Sequence, residues 1–401
     1  MAGAERRLGA QGGFWQSEIT NRGLPTYRRL KLMFHEVHKG IDSLYLSFWG
    51  DLKPGLKEDF EKKKLLAQSD DPKDQAEATH VIGDHAFELL DRGRGKYLFV
   101  LSDNWFHIQI SGSEKKMLPT VYVQISSELL NCLGLENSVN ELRSVVGEIL
   151  VAIEKERVSR ADIFVDAVID TDFEKISRNQ FVCRANKITC HWSGIPFSGW
   201  SIGLGGVVSA RIYDKTVEIE QKSKKDYFKT IWQNRGWQEG QKVWRLEFQL
   251  RREFLEQMTI NSVTDLMDTI NDIWRYCTVD WLRITIDDGT ENRTRLEIVP
   301  FWENIQLVSF GAGDCTGIVR VVKKARIPSD ETLFLNGYGF FTAYAAREGH
   351  ENTFSAMLNY VNDAKQFHDE YVKNSNLYQD GEDYRKTKLN IKKRKFNILR
   401  K

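Results

Sequence analysis

The chain has 401 residues, with 57 Lys and Arg against 56 Asp and Glu, for a net charge of +1. This near-balance excludes a generally polycationic nucleic-acid binder and confines any such binding to local basic patches. A hydrophobic content of 41% is enough for a sizeable core, in two domains or in one elaborated domain.

No segment reaches the roughly 18 uninterrupted apolar residues expected of a membrane span. The N-terminus lacks the apolar stretch of a signal peptide. The cysteines Cys132, Cys183, Cys190, Cys277 and Cys315 are odd in number. They read as reduced, mostly buried thiols of a cytoplasmic protein.

Residues 1–38 read as an N-terminal arm with a basic cluster at Arg28, Arg29 and Lys31. Residues 41–49 alternate as a strand, and residues 57–66 have a charged, helical pattern. Residues 97–110 predict a hairpin turning at Ser102, Asp103 and Asn104. A strand at 121–125 follows, and Val139, Leu142, Val145, Val146 and Ile149 give residues 138–154 helical spacing. Residues 171–179 predict a helix, and 199–206 form a glycine-dense turn or a place of close backbone approach. Further helices are expected within 216–229, 253–258, 263–281 and 353–372, with residues 296–330 irregular between them.

Three segments carry ionisable residues on one side of a strand, because side chains alternate between faces. In residues 158–166 these are Arg160, Asp162 and Asp166; in 210–215 they are Arg211, Tyr213 and Lys215. In 244–251, Arg245, Glu247, Gln249 and Arg251 oppose Trp244, Leu246, Phe248 and Leu250. Paired together, these strands make a sheet with one greasy face and one face of carboxylates, a phenol and cations. Strands with intervening helices, then helices, give an α+β class. The expected fold is a central, mainly antiparallel sheet with one polar, site-bearing face, flanking helices and a helical C-terminal extension.

Two readings of the polar face stand side by side. Asp162, Asp166 and Glu247 offer the hard oxygen ligands that suit Mg2+ or Mn2+. Alternatively they pair with Arg160, Arg211, Arg245 and Arg251 in a salt-bridge lattice, since unpaired ions on a sheet are costly. Tyr213 is either a nucleophile towards phosphorus or a structural tyrosine. Asp214 points away from Tyr213, and Glu218 lies just beyond the strand, able to return to the site. Trp232, Trp237 and Trp244 either stack bases or belong to the core. The basic tail, including Lys393 and Arg394, would meet phosphates without reading sequence.

SRADIFVD, RIYDKTVE and WRLEFQLRRE, in that order and preceded by GIDSLYLSFWGDL, resemble the Rep_trans family of replication initiation factors. The resemblance covers roughly residues 40–285. It implies a metal-dependent nickase and ligase related to the HUH endonucleases, acting at the origins of plasmids, phages or integrative elements. A tyrosine would cleave one strand, keep the 5′-phosphate and leave a 3′-hydroxyl.

On the residues, the resemblance implies Asp162, Asp166 and Glu247 as metal ligands and Tyr213, Asp214, Lys215 and Glu218 as catalytic. Arg160, Arg211, Arg245, Arg251, Lys393 and Arg394 would bind single-stranded or hairpin DNA. A helicase or coupling protein is the implied partner. The plasmid members' Tyr-x-Gly reads Ser201-Ile202-Gly203 here, so the tyrosine is displaced. That departure keeps two alternatives in view: a non-catalytic DNA-binding regulator with the same fold, and a water-using metal-dependent nuclease in defence. The expected layout is an arm (1–38), an initiator-like catalytic domain (39–285), an extension (286–380) and a basic tail (381–401).

Overall fold

A computed structural model describes residues 34–112, 118–194, 197–289, 295–311, 330–351, 353–373 and 378–395. Strand β1 (Phe34–Trp49) is long and central. Helices α1 (Leu56–Ala67) and α2 (Pro72–Glu77) follow. Then come β2 (Thr79–Ile82), β3 (His85–Leu89), β4 (Phe99–Ser102), β5 (Phe106–Ile110) and β6 (Val121–Ile125). Helices α3 (Ser127–Leu133) and α4 (Leu135–Ile149) lead to the second long strand, β7 (Lys155–Ile169).

After β8 (Phe181–Cys183), strands β9 (Ile188–Trp192), β10 (Phe197–Ile202) and β11 (Val208–Asp214) run to α5 (Lys215–Glu218) and α6 (Tyr227–Gln233). The remaining elements are β12 (Trp244–Arg251), α7 (Arg252–Gln257), α8 (Val263–Arg275), β13 (Leu282–Ile284) and α9 (Pro300–Gln306). Among the described residues three further helices follow: α10 (Asp330–Arg347), α11 (Thr353–Lys373) and α12 (Gly381–Lys395).

The fold is α+β. Among the described residues, 11 strands form one antiparallel sheet in the order β2-β3-β4-β5-β6-β1-β7-β12-β11-β10-β9. The three charged strands are therefore neighbours: β12 pairs with β7 on one side and β11 on the other. One face is apolar, as the alternation requires. Leu44, Leu46, Phe48, Val121, Val123, Leu246, Phe248 and Leu250 are all buried there. Helix α4 contributes Val139, Leu142, Val146 and Ile149 at helical spacing to the same core.

Helix α8 is defined at its start by a capping box, with the Ser262 hydroxyl accepting from the Asp265 amide at 3.0 Å and Asp265 accepting from the Ser262 amide at 2.9 Å. It buries Leu266, Ile270, Ile273 and Trp274. Each such side chain contributes roughly 1.5–3 kcal/mol on leaving water.

Several boundaries differ from the sequence reading. Residues 34–38 are strand rather than arm, because they pair with the end of β7 through Phe34 and Ile169. The core continues past residue 285: Thr285 bridges Ile298, and Phe301, Trp302 and Ile305 of α9 are buried in it. Two short 3-10 turns, Phe173–Lys175 and Arg178–Gln180, replace the helix expected at 171–179. Trp232, Trp237 and Trp244 are core residues. Of the cysteines, Cys277 is buried but Cys190 is exposed, and Cys315 lies outside the described residues. Outside them too lie Arg28, Arg29 and Lys31, and the tail beyond Lys395. No helix of the described residues is long and apolar enough to cross a membrane.

Candidate active site

Strand register decides which ionisable groups meet. Across β7 and β12, Asp166 faces Arg245 and Asp162 faces Gln249; across β11 and β12, Arg211 faces Glu247 and Tyr213 faces Arg245. All these side chains project from the same face, but that face is not uniform. Helix α6 lies over one end. Its Phe228 and Trp232, with Phe164, Val37, Ile219 and Val243, form a second, smaller core on the polar side.

Beneath this cover Arg245 and Asp166 are both fully buried. Arg245 donates to Asp166 through Nε at 2.6 Å and through Nη2 at 2.7 Å, a bidentate pair. Trp232 Nε1 donates to the same carboxylate at 3.0 Å. The guanidinium stacks 3.9 Å from the Phe164 ring centre and 4.5 Å from that of Phe228. Burial alone would pull Arg245 down, but Asp166, Tyr213 and Asp42 reverse this and raise it. The pair is structural: two ions removed from water, each satisfied by the other.

The third contact of Arg245 reaches out of the covered end, from Nη1 to Asp42 Oδ1 at 2.5 Å. Asp42 is absent from the residues the sequence singles out. Strict alternation assigns it to the greasy face with Leu44 and Leu46. The ladder between β1 and β7 instead slips between Ile41 and Ser43, leaving Asp42 as the extra residue of a bulge. An acid inside an otherwise alternating strand is the only local signal of this. Burial pushes the Asp42 carboxyl up, yet Arg245, Lys225 and Lys215 hold it below its usual value.

At the open end Glu247 is buried, accepts from the Tyr213 hydroxyl at 3.2 Å and pairs with Arg211 Nη1 at 3.5 Å. Burial, followed by the negative charges of Asp42 and Asp162, pushes Glu247 up to about 7. Tyr213 is partly exposed, and burial with the adjacent Glu247 raises its hydroxyl well above the usual phenol. The Arg211 side chain is 45% exposed, so its guanidinium is open to a ligand. Asp162 is buried and held by Arg160 through Nε at 2.8 Å and Nη2 at 2.5 Å. Burial raises Asp162 while Arg160 lowers it, and the net shift is upward.

The short approach of β10 to β11 at this point depends on Gly199, which lies opposite Tyr213 at φ +151°. A Cβ there would sit 2.2 Å from the Ile212 carbonyl oxygen and 2.8 Å from Tyr213 Cα. The glycine-dense segment is thus a hairpin connection with one obligatory close contact.

The remaining predicted residues separate. Asp214 caps α5, accepting from the Val217 amide at 3.1 Å and from the Thr216 hydroxyl. Lys215 is buried, donates to Glu218 at 2.6 Å, and has its ammonium 5.7 Å from the Tyr213 ring centre and 5.0 Å from that of Phe228. Burial, then Arg245, lowers its pKa. Glu218 also accepts from Ser223 at 3.1 Å. Arg251 is exposed at the far end of β12 and donates to the Gly205 carbonyl at 3.3 Å. Lys393 is partly exposed on α12; the Arg394 side chain lies outside the described residues. Ser201, in the place of the relatives' tyrosine, bonds His191 Nε2 at 2.8 Å.

Two expectations need correction. Arg245 does not face solvent and has no free edge for DNA. Asp166 has both oxygens engaged by Arg245 and Trp232, so Asp162, Asp166 and Glu247 do not assemble as a ligand set. Among the described residues no group of three or more His, Cys, Asp or Glu side chains fits a metal ion.

No family model matches this chain, and no curated protein matches it. Among solved structures, it is similar to the rolling circle replication initiator protein from Geobacillus stearothermophilus, at 14% identity and a TM-score of 0.37. That match covers 68% of this chain and 98% of the other. Similarity at this level assigns neither activity nor residues.

Proposed function

We propose that the chain nicks one DNA strand at a replication or mobilisation origin and rejoins it through a phosphotyrosine on Tyr213. One observation carries the reading: a partly exposed tyrosine donates its hydroxyl to a carboxylate raised to about 7, with an open arginine beside the same carboxylate. A base that titrates near neutral pH is partly ionised yet still a useful proton acceptor.

In the forward step Glu247 takes the Tyr213 proton as the phenolic oxygen bonds to phosphorus. The P–O3′ bond breaks, and the leaving 3′-oxygen is protonated from solvent. Arg211 offsets the charge that develops on the phosphoryl oxygens. In rejoining, the 3′-hydroxyl releases its proton to solvent as its oxygen bonds to phosphorus, the bond from phosphorus to the Tyr213 oxygen breaks, and protonated Glu247 returns its proton to the tyrosine. Because the expected Mg2+ or Mn2+ ligands are not brought together, no step here passes through a metal.

The test is incubation of the full chain with supercoiled plasmid and hairpin oligonucleotides from its own genetic neighbourhood, with Mg2+, with Mn2+ and with chelator. The expected result is a nick and a covalent protein–DNA adduct, both lost in Tyr213→Phe. Cleavage that survives Tyr213→Phe without an adduct would replace this reading with that of a water-using nuclease. Specific DNA binding without cleavage would replace it with that of a regulator.

A further inference from the structure

The polar face does not stop at the candidate site. Tyr45 on β1 lies opposite Arg160 on β7 and opposite Gln124 on β6, and Tyr122 on β6 lies opposite Ser47 on β1. Directly opposed residues project to the same side, so Tyr45 and Tyr122 share the face of Arg160 and Asp162. Their ring centres are 5.8 Å apart. Tyr97, from the turn before β4, stacks on Tyr122 at 5.8 Å with an interplanar angle of 23°. The Arg160 guanidinium lies 4.7 Å from the Tyr45 ring centre while two of its N–H groups hold Asp162. Further along β1, Trp49 meets Lys155 at 5.0 Å and Arg157 at 5.1 Å.

This half of the face combines aromatic rings with cations. Tyr45, Tyr97, Tyr122 and Trp49 all remain partly exposed, whereas Leu44, Leu46 and Phe48, their neighbours on the opposite face of β1, are fully buried. The Arg160 side chain is 25% exposed, and a guanidinium has five N–H donors, so donors remain beyond those given to Asp162. Arg157 is partly exposed beside Trp49, although its Nε is itself buried. The tyrosines are uncharged at neutral pH: burial raises all three, with Tyr122 pushed up to about 12. Neutral rings flanked by cations are what unpaired bases and their phosphates recognise, whereas duplex DNA hides its base faces.

We propose that this half of the sheet is a track for single-stranded DNA, with Tyr45, Tyr122, Tyr97 and Trp49 stacking bases and Arg160 and Arg157 meeting phosphates. Arg160 joins the track to Asp162, whose charge acts on Glu247, the partner of Tyr213. The assignment rests on the nicking reading for its ligand: the strand on the track is the one that Tyr213 attacks.

Fluorescence anisotropy of the full chain carrying Tyr213→Phe tests it, in chelator, with the probe's length checked on a denaturing gel after each titration. The probes are a labelled thymidine oligonucleotide of about 20 nucleotides, longer than one stacking platform needs, and a duplex of the same length. Tyr45→Ala and Tyr122→Ala are each expected to weaken single-strand binding about tenfold and leave duplex binding unchanged. Tyr45→Phe should keep the affinity, and Tyr45→Leu, which keeps bulk without a ring, should lose it. Arg157→Gln should reduce the dependence of log affinity on log salt by about one.

Unchanged single-strand affinity in folded Tyr45→Leu and Tyr122→Ala proteins, checked by thermal melting, overturns the proposal. So does an equal loss on duplex. Ring-dependent binding by a chain that never nicks would remove the nicking reading and leave the track standing.

Discussion

The two ends of the polar sheet face hold the same kinds of residues in opposite states. At the covered end, Arg245 and Asp166 are enclosed by Phe164, Phe228 and Trp232, and each nitrogen of the guanidinium and each oxygen of the carboxylate is matched. At the open end, Glu247 has one phenol and a distant arginine as partners, while two other acids act on it electrostatically. Complete pairing makes a carboxylate part of the scaffold. Incomplete pairing leaves Glu247 between its two protonation states near neutral pH, as proton transfer requires. The cover supplied by α6 separates the roles, since the strands beneath it are continuous.

Four substitutions probe that contrast. The largest effect should come from the covered end. Arg245→Ala strands Asp166 in a dry site and should cost about 3–5 kcal/mol, read as a drop in denaturant midpoint. A loss below about 1 kcal/mol, the range of an exposed ion pair, would mean that the two ends do not differ.

Next is Glu247→Gln. It should slow nicking at least about 100-fold and remove the rise in rate through an apparent pKa near 7. Its effect on stability has the opposite sign. The folded pKa of about 7 lies above the ordinary 4.5, so the parent chain is stabilised most below pH 4.5 and loses that stability up to about pH 7. The glutamine variant should lack this fall, which urea titrations at about pH 4 and about pH 8, on either side of the window from 4.5 to about 7, will check.

Asp214→Ala removes only a helix cap and should cost about 1 kcal/mol, with nicking retained in the folded protein. A 100-fold loss of rate at unchanged melting temperature would instead return Asp214 to the catalytic set. The smallest effect on stability is expected for Arg211→Gln, within about 0.5 kcal/mol. Its signature is a weaker salt dependence of DNA binding, by about one phosphate contact.

The alternation in the three charged segments was enough to identify their shared face, and β12 lies between the other two as their pairing requires. Parity treats Arg245 and Arg251 alike, however. Which of them is buried depends on where residues 227–237 pack, a contact between distant segments with no local signature. The salt-bridge reading therefore describes Asp166, while Glu247 is the acid left incompletely paired. Asp42 escaped for another reason: a bulge breaks the two-residue period, and no composition rule marks the break. Asp214 and Lys215 sit at the strand-to-helix junction, where alternation ends and an acid's preference for helix N-caps takes over.

The bulge in β1 has a consequence for how this molecule can change. Asp42 reaches Arg245 because of the number of residues in the strand as well as because of its own side chain. Deleting Asp42 would leave the rest of the sequence intact and remove this bulge, with the register shifts at Glu36/His38 and Tyr45/Leu46 still in place. It would also withdraw the acid that pairs with Arg245 and whose charge acts on Tyr213 and Glu247. A chain so shortened is expected to melt as a cooperative fold yet fail in catalysis, and differential scanning calorimetry beside a nicking assay would tell the two apart. Asp42→Ala removes the same carboxylate at unchanged length, so the difference between the two variants isolates what the extra residue of the bulge contributes.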